Sequence, residues 1–480
     1  INDHLSLKSI SALKTDQSLS VQGSYTDLVA GPTQAGVANP PGLIGIAASG
    51  GGAGSLLASV LIREYQLSQE FNLLDAVGPV SGVVGYYYFY DHERMDLKSL
   101  AVGGNAKTPS PTAGTYTYSV NYQPTLSNAV FISQTYKITP TLSINAGVRY
   151  TWERKTLDTL NLTTLYEPGA APIYPAPGFV YSNLAPNSNP FVADLNQDAH
   201  ATTPKIGVDW QATPDVLLYA WASEGYHSGG YSFSARSTIG AGYGPETLWA
   251  YEAGAKTDWF DRTLRVDVAA FRYIWAGLQF NALVSQTPSI STTSNAGRAS
   301  LNGLEATVIW KPKAVPGLTL TGNTTLLSTR YDYFPKYAPP GGTPSIGLSP
   351  QCVTPNGLRC TVYNATGNKL INAPDVSLVT TAQQDIDLGS VGTAYVRGEW
   401  SYTSRTYFDP TNAPLLGQPP YSLFNASVGF QPARLAQWDF ALWGKNLSNE
   451  KRNQGIAAGS IVATTPGDPL TFGVRIKYAY

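Results

Sequence analysis

The chain has 480 residues, a formal net charge of −1, 13% charged residues and 11% aromatic residues. Near-zero charge lacks the basic field that a nucleic-acid partner needs, and the charged fraction lies well below the quarter usual for soluble domains. A mean hydropathy of −0.12 does not exclude a membrane barrel, because lipid-facing and lumen-facing residues average out along each strand.

The chain starts with Ile1 and carries no signal peptide, so a processed chain or a fragment is expected. The first predicted strand runs from His4 to Leu13. The apolar stretch from Gly42 to Ile62 is long enough to cross a membrane. Its glycines (45, 50, 51, 52 and 54) instead predict a loop. A second strand covers Arg63 to Leu74, and a turn at Gly78–Pro79 leads to a third, Val80 to His92, with Tyr86, Tyr87, Tyr88 and Tyr90. A long segment to about Pro124 precedes the fourth strand, Leu126 to Ile138.

The fifth strand, Thr141 to Arg154, alternates cleanly. Leu142, Ile144, Ala146, Val148, Tyr150 and Trp152 share one face; Ser143, Asn145, Gly147, Arg149, Thr151 and Glu153 share the other. After a Pro- and Asn-rich loop, a sixth strand around Ile206, Val208 and Trp210 turns at Thr213–Pro214–Asp215 into a seventh, Val216 to Tyr226. The eighth, Glu246 to Trp259, carries Glu252, Gly254, Lys256 and Asp258 on its polar face. In the ninth, Thr263 to Ile274, the apolar phase changes at Phe271, Tyr273 and Trp275, which predicts either a bulge or a partly aromatic lumen.

Strands follow over Gly297 to Trp310, Leu318 to Tyr331, Val376 to Ile386, Thr393 to Tyr407, Ser422 to Phe430 and Trp438 to Leu447. The last, Leu470 to Tyr480, alternates to the end of the sequence. Leu470, Phe472, Val474, Ile476, Tyr478 and Tyr480 stand opposite Thr471, Gly473, Arg475, Lys477 and Ala479. The connections run long, short, long, short. Short turns on one side and long loops on the other mark a transmembrane antiparallel β-barrel with periplasmic turns and extracellular loops. The fold class is therefore all-β, with about sixteen strands.

An enzyme finds no support. The histidines, His4, His92, His200 and His227, are scattered, and there is no HExxH, nucleophile elbow or phosphate loop with its Lys. No cofactor and no metal site are expected. Polar-face residues Arg149, Glu252, Lys256, Arg397 and Arg405 are read as lumen groups, either neutralising one another or meeting a plug or an anionic ligand. Trp152, Trp210, Trp259, Trp400 and Trp438 read as interfacial anchors. Candidate ligand-binding groups are the loop aromatics and their neighbours: Tyr226, His227, Tyr231, Phe233 and Arg236, then Tyr331, Tyr333 and Phe334. Such side chains give contact area at low entropy cost and sit where a solute first meets the protein. Cys352 and Cys360 enclose Pro355, Asn356 and Gly357. They suit a local disulfide in an oxidising compartment, against the alternative of two unpaired loop cysteines.

Several stretches resemble the barrel of TonB-dependent outer-membrane receptors. They are Glu252–Ala253–Gly254–Ala255–Lys256 continuing through Leu264 to Phe271, Asn302–Gly303–Leu304–Glu305–Ala306, Asn372–Ala373–Pro374, and Lys445–Asn446–Leu447–Ser448, with Gly444 in place of the family's Val. Near the front, Leu7–Lys8–Ser9–Ile10–Ser11, Ser68–Gln69–Glu70–Phe71 and Val84 to Tyr88 look like mid-barrel strands of the same receptors.

The resemblance implies a 22-stranded barrel, a plug and a TonB box. With about sixteen strands and no plug in residues 1–480, the chain is expected to be the C-terminal part of such a receptor. The implied function is TonB-dependent uptake of a scarce solute, a ferric siderophore or similar iron complex, in the outer membrane of a Gram-negative bacterium. The implied partners are outer-membrane lipid, the small-molecule ligand, and the TonB energy-coupling complex through a plug. The barrel assembly machinery would read the terminal aromatic, Tyr480. The alternative is a complete 16-stranded porin-like passive channel, closed by pairing the first strand with the last.

Overall fold

The computed structural model describes residues 4–25, 54–105, 108–166, 191–232, 242–286, 289–295, 297–335, 337, 363–458 and 462–479. Sixteen strands form one antiparallel sheet in strict chain order. They are β1 (Leu5–Tyr25), β2 (Gly54–Val77), β3 (Val80–Asn105), β4 (Thr108–Lys137), β5 (Leu142–Tyr166), β6 (Phe191–Thr213), β7 (Val216–His227) and β8 (Glu246–Trp259). The series continues with β9 (Leu264–Ala276), β10 (Arg298–Trp310), β11 (Leu318–Tyr333), β12 (Val376–Asp387), β13 (Gly392–Thr403), β14 (Tyr421–Pro432), β15 (Trp438–Lys445) and β16 (Thr471–Tyr478).

The outward face carries the expected apolar belt. On β8 it runs Tyr251, Ala253, Ala255, Thr257, Trp259, and on β9 Leu264, Val266, Val268, Ala270. Trp259 and Trp310 both stand opposite Leu264, Trp210 opposite Leu142, and Trp438 opposite Tyr478. These rings form an aromatic row at the short-turn end, and Tyr251 and the Tyr150–Trp152 pair form the upper one. From Tyr251 to Trp259 is one span of the roughly 9–11 residues that a tilted strand needs to cross a bilayer.

The phase change in β9 is resolved without a bulge. The register with β8 and with β10 is unbroken from Leu264 to Ala276, so Phe271, Tyr273 and Trp275 line the inner face. The space for Phe271 comes from its partner across the strand pair, Gly303. A Cβ at Gly303 would lie 2.2 Å from the Phe271 ring. Gly429 serves the Tyr395 ring in the same way, at 2.1 Å. A glycine under a cross-strand ring exchanges its own packing for that of the ring. Gly303→Val is expected to cost about 1–3 kcal/mol by overpacking, read as a lower urea midpoint for the folded chain.

The front half departs from the sequence expectation. The described parts of the segments read as long loops after the first, third and fifth strands are continuations of the strands. Pairing of β1 with β2 extends to Tyr25–Ser55, of β3 with β4 to Asn105–Thr108, and of β5 with β6 to Asn161–Phe191. Of the stretch read as a glycine-rich loop, Gly54 to Ile62 belongs to β2; the part before Gly54 lies outside the described residues. Above the membrane both faces of a strand meet water, so no apolar alternation is needed, and Thr- and Tyr-rich sequence such as Thr115 to Tyr118 keeps its β preference. β1 to β6 thus have 21 to 30 residues each, against 8 to 16 for β7 to β16. They stand as a tall wall over one side of the mouth. β13 ends at Thr403, so Arg405 falls in an exposed connection and not on a lumen strand as expected.

Among the described residues β1 pairs with β2 alone and β16 with β15 alone. The pairing of first with last strand that a closed 16-stranded channel requires is not among these registers. The outward side chains of β16 are accordingly bare, with Phe472 83% and Val474 66% exposed. An unpaired strand edge in hydrocarbon leaves backbone groups without partners, each costing several kcal/mol.

Candidate ligand site at the barrel mouth

On the inner face of the tall wall, one register row crosses six strands. It reads Lys14, Gln66, Asp91, Thr125, Lys155, Gln197 from β1 to β6. Glu153 lies two residues below Lys155 on the same face, and Glu64 and Glu93 two residues above Gln66 and Asp91. Period-2 alternation puts all of them toward the inside.

The opposite side of the site comes from β7. Its pairing with β6 ends at Lys205–Ser223, while its pairing with β8 continues to His227–Glu246. The freed end of β7 and the segment after it rest against the wall. Lys155 Nζ donates to Ser228 Oγ at 2.7 Å, Gln123 Nε2 to the Tyr231 carbonyl at 3.3 Å and Gln197 Nε2 to the Tyr243 carbonyl at 3.1 Å. Gly229 permits this approach: a Cβ there would lie 2.3 Å from the Tyr243 carbonyl oxygen and 2.9 Å from Gln197 Nε2. Burial raises the hydroxyls of Tyr231 and Tyr243 above their ordinary values, with Asp198 adding at Tyr231, so both remain donors.

A short hairpin, Gln279–Gln286 with Ser289–Asn295, braces this shelf. Gln279 donates from its backbone N to Glu246 Oε2 at 2.7 Å and from Nε2 to the carbonyls of Ser228 and Gly244. Asn295 accepts from Gly244 N at 2.6 Å and donates to the carbonyls of Gly244, Pro245 and Gly277. Each such bond contributes about 1 kcal/mol net. Asn295→Ala is therefore expected to speed hydrogen exchange at the Gly244 amide while exchange in β8 and β9 stays unchanged.

Four buried polar atoms at this place have no hydrogen-bond partner: Asp91 Oδ1, Glu153 Oε1, Gln197 Oε1 and the Tyr226 hydroxyl. Lys155 Nζ stands 3.5 Å from Glu153 Oε1, a loose ion pair. Buried polar atoms are normally satisfied. Three of these four are acceptors only, so the shelf is chemically suited to a ligand that offers hydroxyl, amide or amine donors.

The second feature of the mouth is an aromatic cap over β9 to β13. Tyr331, Phe334, Tyr337 and Tyr363 are buried together, with Trp275 and Phe280 packed against them. Phe334 meets the rings of Tyr331, Tyr337 and Phe280 edge-on at 5.3, 5.5 and 5.7 Å. Tyr337 and Tyr363 exchange backbone bonds. The Tyr337 hydroxyl donates to Asp409 Oδ2 at 2.9 Å, and Asp409 Oδ1 accepts from the Thr411 amide and hydroxyl. Burial first, and then Asp409, hold the Tyr337 hydroxyl well above its ordinary value.

The sequence-predicted residues therefore separate. Tyr226 and Tyr231 belong to the shelf. His227 is exposed, with Nδ1 3.5 Å from Glu246 Oε1. Tyr333 is exposed, whereas Tyr331 and Phe334 are each only 2% exposed inside the cap. Phe233, Arg236, Cys352, Cys360 and Tyr480 lie outside the described residues. Below the mouth, Arg149 sits over the rings of Tyr87 and Phe131. Glu252 accepts from Tyr219 at 2.8 Å, Lys256 lies over the same ring, and Arg397 faces Glu399 at 3.4 Å. Gln123, Lys155, Gln197 and Gln279 were not anticipated. Their partners are 46 to 108 residues away, except for those of Gln279, which lie 33 to 51 away. Among the described residues no group of three or more His, Cys, Asp or Glu side chains could hold a metal ion.

Comparison with known proteins bears on the fold. The fold is similar to the ferric yersiniabactin uptake receptor FyuA of Yersinia pestis, with a TM-score of 0.57 and 16% identity over 89% of this chain and 61% of that one. It is also similar to the siderophore receptor PiuA of Acinetobacter baumannii, at 0.61 and 12% over 89% and 62%. The ferric-catecholate import receptor Fiu of E. coli gives 0.59 and 14% over 99% and 60%. The chain thus spans about three-fifths of the length of these receptors. A curated relative, the metal-pseudopaline receptor CntO of Pseudomonas aeruginosa, is 35% identical over 109 residues, 23% of this chain and 14% of that protein. Residues 3–447 match the family model described as TonB dependent receptor-like, beta-barrel, and the chain belongs to that family of Gram-negative outer-membrane receptors.

Proposed function

We propose that this chain is the ligand-capturing barrel portion of an outer-membrane receptor that takes up a scarce metal complex, such as a ferric siderophore, by energy coupled through TonB. The observation that carries the reading is the mouth shelf, where four buried polar atoms lack hydrogen-bond partners, three of them on a wall of 21- to 30-residue strands and the fourth, the Tyr226 hydroxyl, on β7. A passive pore has no use for a tall wall with unsatisfied acceptors on its inner face, whereas a receptor binds its solute with them. The names of the relatives agree in class: uptake or import of ferric yersiniabactin and ferric catecholate, and reception of metal-pseudopaline. The two strand edges of the sheet support further strands between β16 and β1, as in a larger barrel, with a plug to receive TonB.

Ligand capture falls to Tyr226, Lys155, Gln197 and Glu153, with the donors of the bound complex meeting Glu153 Oε1 and Gln197 Oε1. Radiolabelled iron uptake by cells expressing the receptor tests this. Uptake should be saturable and should vanish in a strain lacking TonB. Lys155→Ala and Gln197→Ala should each raise the half-saturating concentration about tenfold, the equivalent of one hydrogen bond. Uptake that stays linear in concentration and indifferent to TonB would favour the porin.

A further inference from the structure

We propose that the solute captured at the mouth carries a protonated amine, and that Asp16, Glu64, Asp91 and Glu93 on the inner face of β1 to β3 receive it. The inference rests on the reading of the shelf as the ligand site and adds the charge of the ligand. Three carboxylates stand side by side in one register row, Asp16 opposite Glu64 and Glu64 opposite Glu93. Two strand spacings put them within about 10 Å. Asp91 lies two residues below Glu93 on the same face. Tyr86 shares the register row of Tyr150, so Asp91 and Glu93, five and seven residues farther along β3, stand above the membrane at the mouth.

Like charges directly opposite one another destabilise a sheet, and this row sets three together. Among the described residues Lys14 is the cation that faces inward on β1 to β3 at this height. It is already engaged, its Nζ donating to Glu64 Oε2 at 2.9 Å. Neither Asp91 nor Glu93 forms an ion pair among the described residues, and Asp91 Oδ1 is buried without a hydrogen-bond partner. Burial first, and then Glu64, raises the Asp91 carboxyl above its ordinary value. Burial, Asp91 and Glu64 do the same to Glu93. A cation between the two would reverse both effects. Among the described residues no group of three or more His, Cys, Asp or Glu side chains could hold a metal ion. An ammonium needs no such convergence, because its three donors can be shared among separate carboxylates.

The spacing suits a complex with an amine-bearing arm. Gln197 on β6 and Asp91 on β3 lie in one register row, through Lys155 and Thr125. Three strand spacings separate them, about 14 Å. Glu153, Gln197 and Tyr226 hold the body of the complex while the arm crosses Thr125 to the carboxylates. A complex whose surface is anionic, such as iron bound by three catecholates, meets repulsion at this end of the shelf.

Quenching of tryptophan fluorescence in the full chain in detergent tests this. The probes are iron(III) complexes of one linear trihydroxamate whose terminal amine is free, acetylated or succinylated. They differ at that end alone, which is positive, neutral or negative. The amine form should bind about tenfold more tightly than the acetylated form, the equivalent of one hydrogen bond to a charged group. The succinylated form should bind more weakly than either. Asp91→Asn/Glu93→Gln should bring the three within about twofold of one another. Its urea midpoint should equal or exceed that of the wild-type chain, since it relieves neighbouring like charges; carboxylates serving the fold alone would lower it. Equal binding of the three forms by the wild-type chain, or tighter binding of the succinylated form, would overturn the proposal and leave the receptor reading standing. So would a preference that survives the double substitution. Failure of all three forms to bind would overturn capture at the shelf, and this proposal with it.

Discussion

Val268→Arg is expected to destabilise the membrane-embedded chain by about 2–4 kcal/mol, the value for a cation at the midplane of a barrel's lipid face. Val268 points outward between Ala255 and Ala306. It lies halfway along β9 between Leu264, in the row of Trp259 and Trp310, and Arg272, in the row of Tyr251. An arginine there is too far from either interface to bring its charge to water without deforming the bilayer. Urea titration of the chain in lipid vesicles, followed by tryptophan fluorescence, gives the difference directly. Thr325→Lys provides the contrast. Thr325 faces inward beside Glu305, where water and a carboxylate receive the ammonium, and the expected change is within about 0.5 kcal/mol. Equal costs at the two sites would mean that lipid does not cover the outward face.

Tyr337→Phe is expected to loosen the aromatic cap by about 1.5–3 kcal/mol, the range for hydrogen bonds to charged groups. The ring would still pack against Phe334 and Phe280, so nearly all the apolar burial survives. What is lost is the donor to Asp409 Oδ2, at an aspartate only 6% exposed. Hydrogen exchange at the amides of Tyr363, Ala365 and Gly367, which bond back to Tyr337, Phe334 and Tyr331, should accelerate, while the belt strands should not change. Tyr337→Phe/Asp409→Asn should recover part of the loss, because a buried amide that misses one partner costs less than a buried carboxylate. An unaltered exchange pattern in the single variant would show that ring packing alone holds the cap.

The legibility of this chain follows solvent. Where one face of a strand meets lipid and the other water, the two environments select opposite residues at every second position. The sequence then declares its strands outright, as at Leu142 to Trp152 and Leu470 to Tyr478. β9 declared itself less clearly because Phe271, Tyr273 and Trp275 put rings on the inner face, and nothing local says that Gly303 lies beneath one of them. Above the belt both faces meet water and the selection lapses. Polar strand and polar loop then have the same composition, which is why the tops of β1 to β6 read as loops. Residue type marks Tyr331 and Phe334 as ligand candidates, and type does not distinguish a ring offered to a solute from a ring packed in a cap, where both are buried.

By itself the sequence determined the antiparallel sheet, the number and order of its strands, which face of each meets lipid, and the family, because these depend on local alternation and on the order of the segments. The tertiary structure decided the height of the β1 to β6 wall, the departure of β7 from β6 after Ser223, the burial of Tyr337 against Asp409, and the meeting of Gln123, Lys155 and Gln197 with Tyr231, Ser228 and Tyr243. Those depend on contacts between residues mostly tens to a hundred positions apart, where a hydrogen bond to a carbonyl leaves no mark on the identity of the residue that supplies it.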